Sequence, residues 1–238
     1  TGGFTNLARG KYTVVAGGRL NTAGARFQNH ATVNGGRQNL ANASYSTVSG
    51  GRWNTALMDH STIAGGRWNT VQGTAATVAG GQRNTAAASY SLVAGGSDHS
   101  VTQEYAVVTG GQANVASAFW STVAGGHANS AVKEHSLVVA GYNNTAAENY
   151  ATVAGGTGNV VSGFYSTVVG GYDNVIDESY AVVAGGLSNR VSGRYGTVSG
   201  GRTNTVTARH ATVNGGQRNN AGVDHSVIGG GWLNTNLG

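Results

Sequence analysis

Seven histidines, nine carboxylates and fourteen basic side chains are the groups in this sequence able to do chemistry. Histidine serves as a general base or metal ligand, paired carboxylates as acid and base, and rows of arginine as an anion-binding strip. Their spacing decides among these roles. His30, His60, His135, His210 and His225 each fall at one place of a repeating pattern otherwise held mostly by tyrosine or tryptophan, and His99 falls at a place otherwise held by asparagine. They read as substitutions within structural columns. His210 and His225 stand one repeat apart with only Asp224 beside them, too few ligands for a metal site. The acids do not recur once per repeat, as a calcium-binding roll requires. No lysine follows the glycine pairs at Walker A spacing, and no nucleophile elbow or dinucleotide fingerprint is present. The expectation is a protein that is not an enzyme and holds neither metal nor cofactor.

The elements that position these side chains are set by glycine. Of 238 residues 41 are glycine, and there is no proline and no cysteine; the usual glycine share is roughly 7 %. Glycine at this level opposes helices, where each costs roughly 1 kcal/mol relative to alanine. Valine and tyrosine are too frequent for a disordered linker. Without cysteine there is no disulfide framework and no cysteine–zinc site. No run of about 18 apolar residues exists, so direct membrane insertion is not expected.

The glycines are ordered. Thirty-one of them fill sixteen Gly-Gly places from Gly2-Gly3 to Gly230-Gly231, with Ala140 as the single replacement. Each place follows the last by 15 residues, except one step of 18 from Gly17 to Gly35 that puts a three-residue insertion near 24–29. Three residues after each pair comes asparagine, as at Asn54, Asn69, Asn84, Asn114, Asn129, Asn144, Asn159, Asn174, Asn189, Asn204 and Asn219, with His99 as the exception. Five after the pair, from Ala8 to Ala221, comes Ala, Val or Ile; nine after it, mostly an aromatic; twelve after it, Val or Ile.

Fifteen residues cannot hold two helices and their turns, but they hold two short strands and two turns, one rung of a parallel β-solenoid. In Tyr45-Ser46-Thr47-Val48, period two sends Ser and Val to one face and Tyr and Thr to the other. The Val/Ile column must face inward, met by the Ala/Val column of the opposite strand. Glycine suits turn positions with φ > 0. Asparagine is expected to take a left-handed turn position and bond its own backbone, and the stacked amides to bond one another as a ladder. Proline is absent because each rung's N–H groups are needed by its neighbour. The expected fold is all-β: a thin, flat parallel β-roll of about fifteen rungs, a single repeat domain over 1–238 and roughly 70 Å long.

Two stretches, Val161-Ser162-Gly163-Phe164-Tyr165-Ser166-Thr167-Val168-Val169-Gly170 and Val191-Ser192-Gly193-Arg194-Tyr195-Gly196-Thr197-Val198-Ser199-Gly200, carry a further likeness. They resemble the head repeats of YadA-like trimeric autotransporter adhesins, and the resemblance covers essentially the whole chain. It implies a left-handed parallel β-roll, three rolls side by side as a homotrimer, at an extracellular or cell-surface location, and adhesion to host matrix or other cells. The neck, heptad stalk and anchor of the complete family have no counterpart in the pattern, which reads as part of something longer. Similar rolls also occur in phage tail fibres.

Arg19, Arg37, Arg52 and Arg67 share one column. They read either as solvated turn residues or as a strip for polyanions such as sulfated glycans, or for the acidic zone of a neighbouring rod. Charge is zoned: residues 1–97 carry +7, 98–178 carry −6 and 179–238 carry +4, which sum to the net +5. Tyr90, Tyr105, Trp120, Tyr150, Tyr165, Tyr180 and Tyr195 supply an aromatic face that either stacks on itself in solvent or packs against identical copies. These arginines and aromatics are the candidate partner-binding residues. Nucleic acid is not an expected partner, because the basic groups are dispersed and interrupted by an acidic third. The leading reading is an adhesion module that binds host matrix protein, glycan or neighbouring rods. A structural subunit of a filament or tail fibre is the alternative. Ice binding comes third: Thr47, Thr62, Thr77, Thr122, Thr152, Thr167, Thr197 and Thr212 align, but Leu92, Val107, Leu137 and Val182 interrupt them.

Overall fold

A period of two within each repeat and fifteen between repeats leaves one arrangement in which every strand finds a partner. In the computed structural model, which describes residues 2–25 and 27–236, the repeats form a parallel β-solenoid of about fifteen turns, with no helix among the described residues. Two compact units are present, Thr1–Trp120 and Ser121–Gly238. Every strand among the described residues is two residues long. In the first unit one parallel sheet runs from Leu7–Ala8 to Val115–Ala116, and the other from Val14–Val15 to Val107–Val108. In the second unit the sheets run from Ser130–Ala131 to Thr235–Asn236 and from Thr122–Val123 to Val227–Ile228.

One turn of the first unit shows why these residues pair as they do. Thr55–Ala56 lies in register with Thr70–Val71, and Thr62–Ile63 with Thr77–Val78. The Thr55 N–H donates to the Asn69 carbonyl at 2.8 Å, and the Thr62 N–H to the Ala76 carbonyl at 3.0 Å. A third, one-residue ladder joins Arg52 to Arg67, where the Arg52 N–H donates to the Gly66 carbonyl at 2.9 Å. With three ladders per turn, few backbone N–H groups are spare, which is the physical reason proline has no place here. Ala56 and Ile63 point inward and are fully buried, and Ser61 and Asn54 are buried with them. The core is the thin stack of small and β-branched residues that the alternation requires.

The insertion changes a turn without disturbing the ladders. Leu7 pairs with Thr22 at the ordinary spacing, but Val14 pairs with Thr32 and Thr22 with Leu40. The three extra residues therefore lie between Ala23 and Thr32, and both sheets resume in register. Phe27 projects there into solvent. Arg26, counted among the basic residues of 1–97, lies outside the described residues.

The asparagine column departs from expectation in two ways. The left-handed backbone falls on the residue before the asparagine, as at Trp53 (φ 56°) and Trp68 (φ 58°), and not on the asparagine. Nor is the column chiefly an amide-to-amide ladder. Asn69 Nδ2 donates to the carbonyls of Gly65 and Gly81, both at 3.0 Å, and its Oδ1 accepts the backbone N–H of Asn84 at 3.0 Å. Direct amide-to-amide bonds join this pattern at Asn159 to Asn144, Asn174 to Asn159 and Asn189 to Asn174, at 3.1–3.2 Å. The reason is reach: the side chain lies inside the turn, where carbonyls of its own turn and the next are nearer than the neighbouring amide.

Those carbonyls belong to the glycine pairs, and the two glycines of a pair are not equivalent. At the second, Gly66 (φ +92°), an added Cβ would lie 2.1 Å from the Gly81 oxygen and 2.6 Å from Asn69 Nδ2. At the first, Gly65, no heavy atom lies within 4 Å of such a Cβ. Gly66→Ala should therefore destabilise the chain by at least about 2 kcal/mol, while Gly65→Ala should stay within about 0.5 kcal/mol of the parent. Chemical denaturation of the two variants decides; equal losses would show that both glycines answer to the same constraint.

Candidate functional site

In-register stacking makes residues fifteen apart into neighbours, so any repeated side chain becomes a ladder. The aromatic column is one. In the first unit Tyr12, His30, Tyr45 and His60 stack at centroid distances of 4.8, 4.8 and 4.9 Å. Ala75 interrupts them, and Tyr90, Tyr105 and Trp120 continue at 5.2 and 5.7 Å. In the second unit His135, Tyr150, Tyr165, Tyr180, Tyr195, His210 and His225 form one stack with spacings from 4.5 to 5.7 Å. These residues carry left-handed backbone, for example Tyr45 at φ 59° and Tyr150 at φ 58°, which costs on the order of 1 kcal/mol for a residue with a Cβ. Offset stacking contributes about as much in return. Ring faces lie against ring faces. Burial, with Tyr150 and Tyr180 as neighbours, pushes the Tyr165 phenol above its ordinary pKa.

The arginine column lies on the one-residue ladder, where Arg19, Arg37, Arg52 and Arg67 bridge in parallel and Gln82 follows. A second aromatic pair runs beside it. Trp53 and Trp68 stack at 5.1 Å with planes 6° apart. The Arg52 guanidinium lies 3.8 Å from the Trp53 centroid, and that of Arg67 lies 4.2 Å from the Trp68 centroid. This pair was absent from the candidate residues. Its signal was the recurrence of tryptophan fifteen residues apart, just before the asparagine. Arg83 takes the next place in the Trp column and pairs with Asp98 through two hydrogen bonds of 2.6 and 3.1 Å. That guanidinium holds the half-buried Asp98 carboxyl below the usual carboxylate range.

The remaining candidate columns are spread along both units. The asparagines from Asn54 to Asn219 in this column are buried and serve the scaffold. The threonine column from Thr47 to Thr212 lies on the outer side of the second strands and is half-buried. No group of three or more His, Asp or Glu side chains able to hold a metal ion occurs among the described residues. No described helix is long and apolar enough to cross a membrane. No protein-family profile matches the chain, and no curated protein matches it in sequence.

His99 is the buried titratable group. Standing in an asparagine place, it keeps with a ring the bonds that link the column from turn to turn, but not the pair of bonds that the amide Nδ2 donates to glycine carbonyls. Its backbone N–H donates to Asn84 Oδ1 at 3.1 Å, and its Nδ1 accepts the Asn114 backbone N–H at 3.1 Å. An accepting Nδ1 puts the proton of the neutral ring on Nε2, which is buried on the side of the Gly111 carbonyl without a well-aligned bond. Burial lowers the His99 pKa below the ordinary histidine value. A histidine so shifted binds fewer protons folded than unfolded. Its contribution to stability is therefore complete above about pH 6.5 and falls as the pH drops towards the lower folded value. His99→Asn should remove this dependence, so that the parent loses more stability than the variant between about pH 7 and pH 5. Thermal melts across that range check it; parallel pH profiles would rule out the assignment.

Proposed function

We propose that this chain is a non-enzymatic adhesion module of a cell surface or fibre, working outside the cell. It displays repeated side chains on a stiff scaffold and binds host matrix protein, glycan or neighbouring rods through them. The observation that carries the reading is the outward chemistry of the ladders. Arginine, tyrosine, histidine and tryptophan recur at one-turn spacing on the surface, while the inward columns hold small and β-branched apolar residues with buried asparagine and serine. Weak contacts repeated at fixed spacing add through effective concentration, which suits adhesion to an extended polymer or surface.

The same reading includes a homotrimer of left-handed rolls, as the resemblance to YadA-like heads implies. The first-glycine column supports self-association. Nothing within the chain needs glycine at Gly50, Gly65, Gly80 or Gly95, since a Cβ there meets open space. Beside it run exposed Ala64, Ala79 and Ala94 and the half-buried Thr62, Thr77 and Leu92. A surface of small side chains lets another backbone approach closely, and packing of such a face against identical copies accounts for a glycine that the single chain does not require. The aromatic face is the weaker candidate for that contact, because its ring faces are already occupied by one another.

Beads coated with the chain should be retained on collagen, laminin, fibronectin or heparan sulfate surfaces above albumin-coated controls. Retention on none of them would sink the reading, and long uniform filaments of the chain alone in electron micrographs would favour a structural subunit instead. In sedimentation equilibrium the parent should run at three times the mass of the 23.9 kDa chain. The variant Gly50→Gln/Gly65→Gln/Gly80→Gln should run as one chain with an unchanged circular dichroism spectrum. A parent that sediments as a single chain overturns the trimer.

A further inference from the structure

We propose that the arginine–tryptophan strip of the first unit, built from Arg37, Arg52, Arg67, Trp53 and Trp68, is a binding site for a sulfated polysaccharide. The inference rests on the adhesion reading and names the class of its ligand. Arg19, Arg37, Arg52 and Arg67 occupy successive places of one parallel ladder, so their backbones are about 4.8 Å apart. None of the four forms an ion pair with an acid among the described residues; the arginines that do are Arg83, with Asp98, and Arg190, with Asp177. The strip is therefore a row of like charges held close without internal compensation, which a bound polyanion would relieve.

The tryptophans set the geometry of the row. Arg52 and Arg67 lie on the indoles of Trp53 and Trp68, and Arg37 reaches within 5.8 Å of the Trp53 centroid. A guanidinium laid flat on a ring keeps its N–H edge for an acceptor. Arg37 is exposed and Arg52 and Arg67 are half-buried, so the outer guanidinium nitrogens of the row face a ligand arriving from solvent. A sulfate half-ester is anionic at every physiological pH and offers three acceptor oxygens to such edges. In a polymer, sulfates recur along the chain and can follow the turns.

The same geometry argues against single-stranded nucleic acid. Base binding without sequence preference relies on open aromatic faces. Here the facing surfaces of the two indoles cover each other, and guanidinium groups lie over the rings. The strip also has a defined end. Its column continues as Gln82, and beyond Arg67 the next arginine, Arg83, is already engaged by Asp98.

The test compares Arg37→Gln/Arg52→Gln/Arg67→Gln with Arg202→Gln/Arg209→Gln/Arg218→Gln, which removes the same charge from the second unit. Glutamine already stands in the strip's column at Gln82, so the substitutions keep the fold, and circular dichroism verifies this. Titration with a heparin decasaccharide should show binding by the parent that weakens linearly in log K against log salt. The strip variant should lose at least about tenfold in affinity and about 3 from the salt slope, and the second-unit variant less than about threefold. The desulfated decasaccharide should bind neither. Equal losses in the two variants, or single-stranded DNA of matched charge binding the parent as tightly as heparin, would overturn the proposal. The two readings fail separately. Bead adhesion without strip-dependent heparin binding leaves adhesion standing and removes the sulfated ligand; strip-dependent heparin binding without bead adhesion does the reverse.

Discussion

Everything in this fold depends on a buried asparagine side chain that ties its own turn to the turns on either side. Asn69 shows the arrangement in full. Its backbone N–H donates to Asn54 Oδ1 at 3.1 Å, its Oδ1 accepts from the next asparagine, and its Nδ2 supplies both protons to glycine carbonyls. Each amide hydrogen has a partner, so a strongly polar group sits in the core without the penalty that an unpaired one brings. The same side chain explains the glycine beside it. The space a Cβ would need at Gly66 is held by Asn69 Nδ2 and by the Gly81 carbonyl that it bonds. Asparagine and the second glycine are one device, and neither column could drift without the other.

How much of this was legible in the sequence follows from what each signal encodes. Alternation with period two reports which face a residue takes, so the inward placing of Ser46 and Val48, and of Ala56 from the opposite strand, could be read from the repeat. The repeat length gave the parallel in-register pairing, and the single long step placed the insertion. Backbone conformation was less legible. Glycine announces a positive φ, but Tyr45, Trp53 and Trp68 adopt one with a full side chain and carry no such mark. Asparagine tolerates the left-handed place through its side chain, but burial recruits that side chain inward and the conformation falls on the residue before. The Trp53–Trp68 pair was missed for a related reason: its column is otherwise irregular, and two neighbouring members suffice for a stack.

Like-on-like stacking sorts residue types by what they gain from their own kind. Valine, asparagine and aromatic rings gain contacts from a copy one turn away, so these columns run long. Charged groups gain from an opposite neighbour. Where a carboxylate falls one turn from an arginine in the same column, as Asp98 does from Arg83, an ion pair forms across the register; Asp177 and Arg190 meet across a turn to similar effect. The row from Arg19 to Arg67 has neither solution. Two unit charges about 5 Å apart repel by roughly 1 kcal/mol in water, a penalty repeated at each step and partly offset where an indole lies under the guanidinium. The arginine column therefore keeps an arrangement that the stability of the scaffold alone does not account for.

His99 and Ala75 show which part of the pattern carries the fold. Ala75 removes a ring from the aromatic stack, yet the strands on both sides stay in register: Thr62 pairs with Thr77 and Thr77 with Leu92. The aromatic ladder is therefore an addition to the surface of the scaffold. His99 replaces the asparagine itself, and there the substitute keeps the bonds along the column: ring Nδ1 stands where Oδ1 would accept, and the main-chain donors of His99 and Asn114 keep their partners, while Nε2 lacks the amide's bonds to glycine carbonyls. In the buried column the one replacement keeps the bonds that run from turn to turn, whereas in the outer aromatic column Ala75 removes the group altogether. That asymmetry separates the two jobs in the repeat. The asparagine–glycine device fixes the spacing, and the outward columns are free to vary in what they present at that spacing.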